Sequence, residues 1–458
     1  MLRQMFGADA DEALRQMREQ GLDPTALAAA SGLPSDPAAI GQMIGQVQRM
    51  LAASGGGPVN WDLAHDVARQ VAVAGGDPAL TAQESRQAVE ALGVAELWLD
   101  AATELPPAGG PVRALSRSEW VEQTLPTWRT LTEPVATSMS TALATTLAGQ
   151  LPEGVDLPPL LAGASGGGSA DPAQMMHRLG ALVFGMQVGQ AAGSLSRETF
   201  GLTDAGLPLV HEPATALVPR NVADFAEGLD VPLDEVRLFL ALREAAHARL
   251  FTHVGWLRGH LLSAVDAYAR GIAIDLESLE ESVRAIDPTD PRALQGALSS
   301  GVFAPHTTPE QRAVLARLET ALALVEGWVD EVTAAAAMPH LPHTVALREM
   351  IRRRRAAGGP AEQTFATLVG LELRPRRSRD AAALWSLIAR EQGPQARDAV
   401  WDHPDLLPDA EDLDDPQGYA ARRTAAEGEH EDLDRALAEI LGEGPEDETE
   451  TGPGTPQD

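Results

Sequence analysis

Residues 232–250 read PLDEVRLFLALREAAHARL, and the order of these residues predicts a buried helix. Pro232 suits a first helical turn, and the acidic pair Asp234 and Glu235 complements the dipole at a helix N-terminus. A stripe of residues then recurs at spacings of three and four, which is the spacing of one helical face. The stripe consists of Val236, Leu240, Arg243, His247 and Leu250. Its two polar members need partners, because an unpaired buried charge is costly.

The string Leu242-Arg-Glu-Ala-Ala-His247 has the spacing of the HExxH motif, with arginine in place of the first histidine. In an intact motif the two histidines lie one helical turn apart and bind zinc, and the glutamate between them activates a water molecule. Glu244 is therefore the candidate general base, and His247 is the candidate second ligand. Arg243 cannot ligate a metal, because a guanidinium group stays protonated and has no lone pair to offer.

A second long helix is predicted over residues 308–337. Thr308 and Gln311 form a capping-box pattern, and Pro309 falls at the first helical position. Glu326 lies beside the apolar stripe of this helix, in the string Glu326-Gly-Trp-Val-Asp330. We expect this helix to pack against a central helix over 232–262 so that Arg243, Glu244, His247 and Glu326 converge. In that arrangement the Arg243 cation replaces the charge of a metal and forms a buried ion pair that keeps the site ordered.

The rest of the sequence predicts a mainly α fold with a minor β element. A helix is expected from Asn60 to about Ala74, with Leu63, Val67 and Val71 at helical spacing. Thr81 and Glu84 fit a capping box for a helix that extends to about Thr103. The residues of this helix expected to point inward are Val89, Leu92, Leu97 and Leu99. Prolines at 106, 107 and 111 are expected to break the chain, and helix resumes from Ser116.

Two further segments have informative patterns. Small residues recur every four positions at Ala181, Gly185, Gly189 and Gly193, which predicts close packing with another helix in a core. The short apolar segment 207–218 is punctuated by proline and is the best candidate for strand structure. No glycine-rich phosphate-binding pattern follows a candidate strand, so the sequence gives no support for nucleotide binding.

The amino-acid composition argues against several kinds of site, partner and location. The chain has no cysteine, which excludes disulfides and thiolate metal sites. Its most apolar stretch, residues 180–193, contains Gln187 and Gln190 and is too short to cross a bilayer, and no secretory signal pattern opens the chain. We therefore predict a cytoplasmic protein without membrane contact. The net charge of −31 disfavours polyanionic partners.

Three regions are expected along the chain. Residues 1–56 are rich in Met, Gln and Gly and contain short amphipathic patterns. Residues 57–400 are expected to form the helical domain. Residues 401–458 form an acidic, proline-rich tail, since residues 402–458 contain 19 acidic residues and three arginines.

Several longer stretches resemble the zincin-like hydrolase family, whose members are described as zinc-dependent metalloproteases and occur widely in high-GC Gram-positive bacteria. The similarity covers roughly residues 57–415. The matching stretches lie at 57–63, 118–121, 182–189, 242–258, 325–332, 347–373 and 403–408. The resemblance implies a zincin-like metallopeptidase scaffold.

The resemblance also assigns roles to individual positions. Members with an intact site have HExxH, followed downstream by Glu-Gly-His and an aspartate, and they bind zinc. The corresponding positions here are Arg243, Glu244, His247, Glu326, Trp328 and Asp330. His247 and Glu326 thus retain ligand positions, whereas Arg243 and Trp328 replace two probable ligands, a pair typical of one branch of the family. We expect no zinc or other cofactor, and a non-catalytic binding or scaffold role with a protein or peptide partner that the sequence does not name.

Two other functions remain open at this stage. One is an active hydrolase or metallopeptidase that uses Glu244 and His247 with a nonstandard site. The other is a nucleic-acid-associated protein that uses nine arginines within residues 348–379. The acidity of the chain and the scarcity of nearby aromatic residues argue against nucleic acid, and favour pairing within the chain or with a protein.

The histidines have their own alternatives. Taken alone, His247 is best read as a hydrogen-bonded core histidine, with a relic ligand or a functional base as the alternatives. His253 and His260 could complete an improvised metal site with it, beyond a helical bend at Gly255. His340 and His343 fall in a proline-containing loop and are expected to be exposed.

Overall fold

The computed structural model describes residues 57–150, 172–270, 308–357 and 377–425, together with Gly428, Arg435 and Leu437. The segment expected over 1–56, most of the distal acidic tail, and Arg374 and Arg376 of the arginine cluster lie outside the described residues. Most of what is described is α-helix, which confirms the predicted mainly α fold.

The helices and strands are numbered here in chain order. The helices in the first half are α1 (Trp61–Val73), α2 (Ala82–Leu99), α3 (Arg117–Gln150), α4 (Pro172–Ser196), α5 (Pro219–Ala226), α6 (Leu233–His253) and α7 (Gly255–Arg270). Those in the second half are α8 (Pro309–Ala337), α9 (Thr344–Ala356), α10 (Ser378–Gln392), α11 (Pro394–Ala399) and α12 (Ala410–Asp414). Short 3-10 turns cover Val400–Asp402, Pro404–Leu406 and Pro416–Gly418. The strands are β1 (Val112–Ala114) and β2 (Thr215–Leu217).

The two strands pair in parallel, with Val112 opposite Thr215 and Ala114 opposite Leu217. Strand β2 is buried throughout and lies within the segment predicted to be a strand, so that prediction is confirmed. The sequence reasoning missed β1, because a three-residue strand after Pro111 is too short to show alternation. Strand β1 forms because the residues of β2, which are distant in the sequence, pair with it.

The predicted helix boundaries follow from capping groups. The Leu63 amide donates to the Asn60 side chain at the start of α1. The capping boxes at Thr81 and Thr308 are both formed. The predicted bend at Gly255 is confirmed, since α6 ends at His253 and α7 begins at Gly255.

The stripe of small residues in α4 packs directly against α1, as predicted. A Cβ atom at Gly189 would lie 2.5 Å from the Ala64 carbonyl oxygen and 2.7 Å from Val67 Cβ. Gly185 and Gly193 meet backbone oxygens of α1 and its N-cap in the same way, at 2.5 and 2.6 Å. The two helices therefore touch backbone to backbone, which only glycine allows at these positions.

This contact predicts opposite effects for two glycine substitutions in α4. Gly189→Ala forces α1 away from α4, and we expect it to lower the free energy of unfolding by about 1–3 kcal/mol. Gly180→Ala meets nothing within 4 Å and should stabilise the helix by up to about 1 kcal/mol. Urea unfolding of both variants measures the difference. Equal effects would contradict the backbone contact.

Two residues of α2 do not point inward as expected. Val89 is 39% exposed and Leu97 is 71% exposed, so their predicted burial is wrong. The buried face of α2 is formed largely by alanines, with Leu92 and Leu99 beside them. Alanines also form the buried face of α1, whose Leu63, Val67 and Val71 are half-buried. Closely packed helices place small residues at their contact, which shifts the buried face away from the large aliphatic side chains.

The packed core extends beyond residue 400. Trp401, Leu413 and Tyr419 all belong to it, although they lie in the region expected to form the acidic tail. Within the described ranges, no helix has both the length and the apolar character that crossing a membrane requires.

Candidate functional site

The centre of the fold contains four charged or titratable side chains on α6 and α8. Arg243, Glu244 and Glu326 are each 3% exposed, and His247 is 1% exposed. Arg243 and His247 lie on the side of α6 predicted from the spacing in its sequence, and both contact Glu326. Glu244 points elsewhere, so the expectation that all four side chains converge is corrected to three. Burial of so many polar groups requires each to be paired, because desolvation of an unpaired charge costs several kcal/mol.

The Glu326 carboxylate joins α8 to α6. Arg243 Nη2 donates to Glu326 Oε2 at 2.8 Å. His247 Nε2 lies 3.0 Å from Glu326 Oε1. The structure thus brings together three of the candidate residues, and it places the Arg243 guanidinium directly on the carboxylate.

A second arginine on Glu326 comes from α9. Arg355 Nη1 lies 2.9 Å from Glu326 Oε1, and its Nη2 donates to the Asp204 carbonyl oxygen at 2.7 Å. Sequence reasoning missed this role, because Arg355 stood among nine arginines and helical spacing gives no distance between separate helices. Only the packing of α9 distinguishes it from its neighbours.

These three neighbours determine the charge state of Glu326. Burial alone would raise the pKa of this carboxyl group, but the positive charges of Arg355, His247 and Arg243 hold its pKa well below the ordinary value. Glu326 is therefore a carboxylate at neutral pH, and both of its oxygens are engaged.

His247 is enclosed by acceptors. Its Nδ1 lies 3.0 Å from the Arg243 carbonyl oxygen, and its Nε2 lies 3.0 Å from the Glu326 carboxylate. Both partner atoms are acceptors, so both contacts are hydrogen bonds when the ring carries both protons. In that form the imidazole has no lone pair for a metal.

Glu244 faces away from this cluster, toward the loop that precedes β2. Its carboxylate accepts the backbone amides of Leu202 and Thr203, each at 3.0 Å, and that of Ala216 at 3.3 Å. It also accepts the Thr203 hydroxyl at 2.6 Å. A Cβ atom at Gly201 would collide with Glu244 Oε2, so the loop backbone closes directly over the carboxyl group. Glu244 therefore fixes the loop and strand β2 to α6.

Burial dominates the titration of Glu244. It raises the pKa of the carboxyl group from 4.5 to about 7, although the hydrogen bonds from Thr203, Ala216 and Leu202 act in the opposite direction. The folded protein thus retains a proton that the unfolded chain loses above its ordinary pKa. Stability from this group is complete below pH 4.5 and is lost as the pH rises through about 7.

This shift predicts a pH effect on stability. Between about pH 4.5 and 7, Glu244 should lower the free energy of unfolding by about 3 kcal/mol as pH rises, since one pKa unit corresponds to about 1.4 kcal/mol. The Glu244→Gln variant lacks this pH-dependent contribution, whether or not the substitution itself changes the stability of the protein. Urea unfolding at several pH values tests this, and parallel curves for the two proteins would contradict it.

Trp328 does not face the cluster. It follows Glu326 by two residues, which turns it about 200° around α8. Its Nε1 donates to Asp398 Oδ1 at 2.9 Å. Asp398 also accepts from Arg397 Nε at 2.7 Å and from the Thr103 hydroxyl at 2.6 Å. The expectation that Trp328 occupies the site is therefore corrected, because the helix geometry directs it into a separate buried network.

Asp330 also faces arginines and is separate from the cluster on Glu326. Its Oδ2 lies 2.8 Å from Arg348 Nη2 and 2.5 Å from Arg352 Nη2. These contacts hold α9 on α8 and so position Arg355 at Glu326. Asp330 is thus a structural neighbour of the site.

The arginine cluster pairs largely within the chain. Beyond the pairs on Asp330, Arg353 and Arg379 contact Glu349, and Arg377 contacts Asp414. Arg354 lies over the Phe200 ring at 4.2 Å. The described members of the cluster therefore bind α8, the loop near residue 200 and the region after residue 410.

The other histidines do not join His247. His253 Nε2 contacts the Pro107 carbonyl oxygen at 3.1 Å, and His260 packs edge-on against Trp256. His340 stacks on Trp98, and His343 pairs with Glu235 at 3.0 Å. The improvised metal site is therefore not formed.

The donor set does not fit a zinc ion. A guanidinium replaces one imidazole, His247 turns both nitrogens toward acceptors, and Glu326 has no oxygen without a cationic partner. Throughout the described ranges, no group of three or more His, Cys, Asp or Glu side chains could hold a metal ion. Arg243, His247, Glu326 and Arg355 instead form a cluster of ion pairs and hydrogen bonds.

Comparison with known proteins shows which family the chain resembles. The chain matches the family model described as zincin-like metallopeptidase over residues 59–420. It also resembles a crystal structure from Chloroflexus aurantiacus described as "a putative hydrolase with a novel fold", with a TM-score of 0.55 at 19% identity. That match covers 80% of this chain and 99% of the other, and it concerns the fold. None of the curated proteins compared matches the chain.

The fold and site define a mainly helical protein built around a helix with HExxH spacing. The chain belongs to the zincin-like metallopeptidase family.

Proposed function

We propose that this protein is a degenerate member of its family, a non-catalytic binding or scaffold protein in which an ion cluster replaces the metal site. The observation that carries the proposal is the set of contacts on the Glu326 carboxylate, which Arg243, His247 and Arg355 approach within 3.0 Å. Glu326, which would be a ligand position in an intact site, is paired here with two arginines and hydrogen-bonded to His247. We infer a protein or peptide partner and a cytoplasmic location.

The state of Glu244 supports the same proposal. A general base must lie within hydrogen-bond reach of a water molecule or substrate. The oxygens of Glu244 accept from the loop at residues 202–203 and from Ala216, and that loop closes over them. The base is therefore used as a structural anchor.

A second candidate function is a hydrolase that uses Glu244 as its base without the usual metal. The observation in its favour is the pKa of about 7, which suits a group that accepts a proton near neutral pH. This candidate requires the loop that precedes β2 to open, since the carboxyl group is otherwise sealed.

A peptidase assay separates the two functions. Full-length protein is incubated with a mixed peptide library, with and without added zinc, and cleavage is followed by mass spectrometry. We expect no cleavage above that of a Glu244→Gln preparation made in parallel. Cleavage that the wild type shows and the Glu244→Gln variant loses would overturn the proposal and support the hydrolase.

A further inference from the structure

The two-stranded sheet has an outer edge along β1, where backbone groups point away from β2. Just beyond the end of this strand, the Leu115 amide donates to the Leu217 carbonyl oxygen at 2.8 Å. Backbone groups alternate in direction along a strand, so Arg113 also faces β2, whereas Val112 and Ala114 face outward. Throughout the described part of the chain, the amides and carbonyls of these two residues have no hydrogen-bond partner.

The opposite edge of the sheet is covered by the protein itself. On β2, the Ala216 amide donates to the Glu244 carboxylate at 3.3 Å. The neighbouring Val218 amide donates to the Phe200 carbonyl oxygen at 2.8 Å. Folded proteins usually shorten or cover the edges of their sheets, because unpaired edge groups pair readily with another chain. Strand β1 is short, but its edge is not covered in this way.

The outer edge of β1 lies at the surface and carries a positive charge. Val112 is 40% exposed, and Arg113 is exposed as well. Arg113 makes no ion pair within the described ranges, and it is the one charged residue between Glu104 and Arg117 in the sequence. Side chains on adjacent strands contact one another in pairs, and pairs of opposite charge are favourable. An acidic side chain on an added strand would therefore complement Arg113.

We propose that the outer edge of β1 binds an extended peptide segment of a partner protein, with an acidic side chain opposite Arg113. A row of alternating amides and carbonyls is complemented by another extended backbone, which adds a strand to the sheet. The backbone supplies the hydrogen bonds, and Arg113 supplies the preference for acidic segments. This inference rests on the proposed binding function and gives it a surface and a class of partner.

Val112→Pro tests the edge without breaking the sheet. The Val112 amide faces outward, and proline is tolerated in an edge strand where the missing N–H would face solvent. Val112→Pro should therefore unfold at the same urea concentration as the wild type. The matched control is Val112→Thr, which keeps the amide and the β-branched shape.

The partner class is tested by selection from a phage-displayed library of random heptapeptides with glutamate fixed at the centre. Full-length wild-type protein is the target, and the selected peptides are then synthesised with a fluorescent label. By fluorescence anisotropy, Val112→Thr should bind them as tightly as the wild type. Val112→Pro and Arg113→Glu should each bind about tenfold more weakly, because each lacks one polar contact with the peptide.

Methylation of the peptide amides distinguishes strand addition from a side-chain pocket. Amides of an extended peptide face β1 at every second residue, so one alternating set of N-methyl groups should abolish binding and the other set should leave it unchanged. Equal effects of the two sets would contradict an added strand.

The remaining outcomes separate this inference from the proposed function. No enriched peptide, or peptides that bind Val112→Pro as tightly as the wild type, would overturn the edge and leave the non-catalytic function intact. A dimer that Val112→Pro dissociates in light scattering would assign the edge to a second copy, and would also overturn it. Peptides that lose binding to Val112→Pro but are cleaved by the wild type would support the edge and contradict the proposed function.

Discussion

Replacing Glu326 by glutamine should cost about 3–5 kcal/mol of the free energy of unfolding, because it leaves the buried Arg243 guanidinium without its counter-charge and removes one from the half-buried Arg355. The substitution keeps the volume of the side chain, so packing is nearly unchanged. Glu326 lies on α8 and contacts Arg243 and His247 of α6 and Arg355 of α9 within 3.0 Å, so its carboxylate links three helices. Urea unfolding at pH 7 measures the loss.

The matched control is Glu349→Gln on α9, which removes a carboxylate paired with Arg353 and Arg379 near the surface. Exposed pairs contribute about 0–1 kcal/mol, so this variant should unfold close to wild type. If Glu326→Gln were as stable as the control, the carboxylate would not be the element that balances the buried cations.

The second large effect is expected at Asp398. This residue accepts hydrogen bonds from Trp328, Arg397 and Thr103 at 2.6–2.9 Å and is 4% exposed. Asp398→Ala leaves the buried Arg397 guanidinium without its carboxylate. We expect a loss of about 3–5 kcal/mol, together with a change in the fluorescence of Trp328.

Asp380→Ala is the comparison for this variant. Asp380 pairs with Arg377 at the surface, and its removal should change stability by less than about 1 kcal/mol. An Asp398→Ala protein that matched it would show that the network around Trp328 adds little to the fold.

Local patterns in the sequence predicted much of this structure. Helical spacing placed Arg243 and His247 on one buried side of α6, and capping residues located the starts of α2 and α8. These predictions succeed because they depend on residues within a few positions of one another. The same holds for the glycine stripe of α4, whose spacing specifies close packing without naming the partner helix.

Features that depend on separate segments were not predictable in this way. The second arginine on Glu326 comes from α9, and two of the amides that donate to Glu244 come from a loop about 40 residues upstream in the chain. Trp328 was assigned to the site by resemblance, although two residues along a helix reverse the direction of a side chain. A helical wheel that included both Glu326 and Trp328 would have shown that their side chains point to different sides of α8.

The central claim is that cations of the protein hold the positions of a metal site. Zinc content, measured by mass spectrometry on protein purified without chelators, tests it most directly. We predict far less than one zinc per chain, and no rise in the melting temperature when zinc is added. One tightly held zinc per chain, lost in the Glu326→Gln variant, would contradict the account.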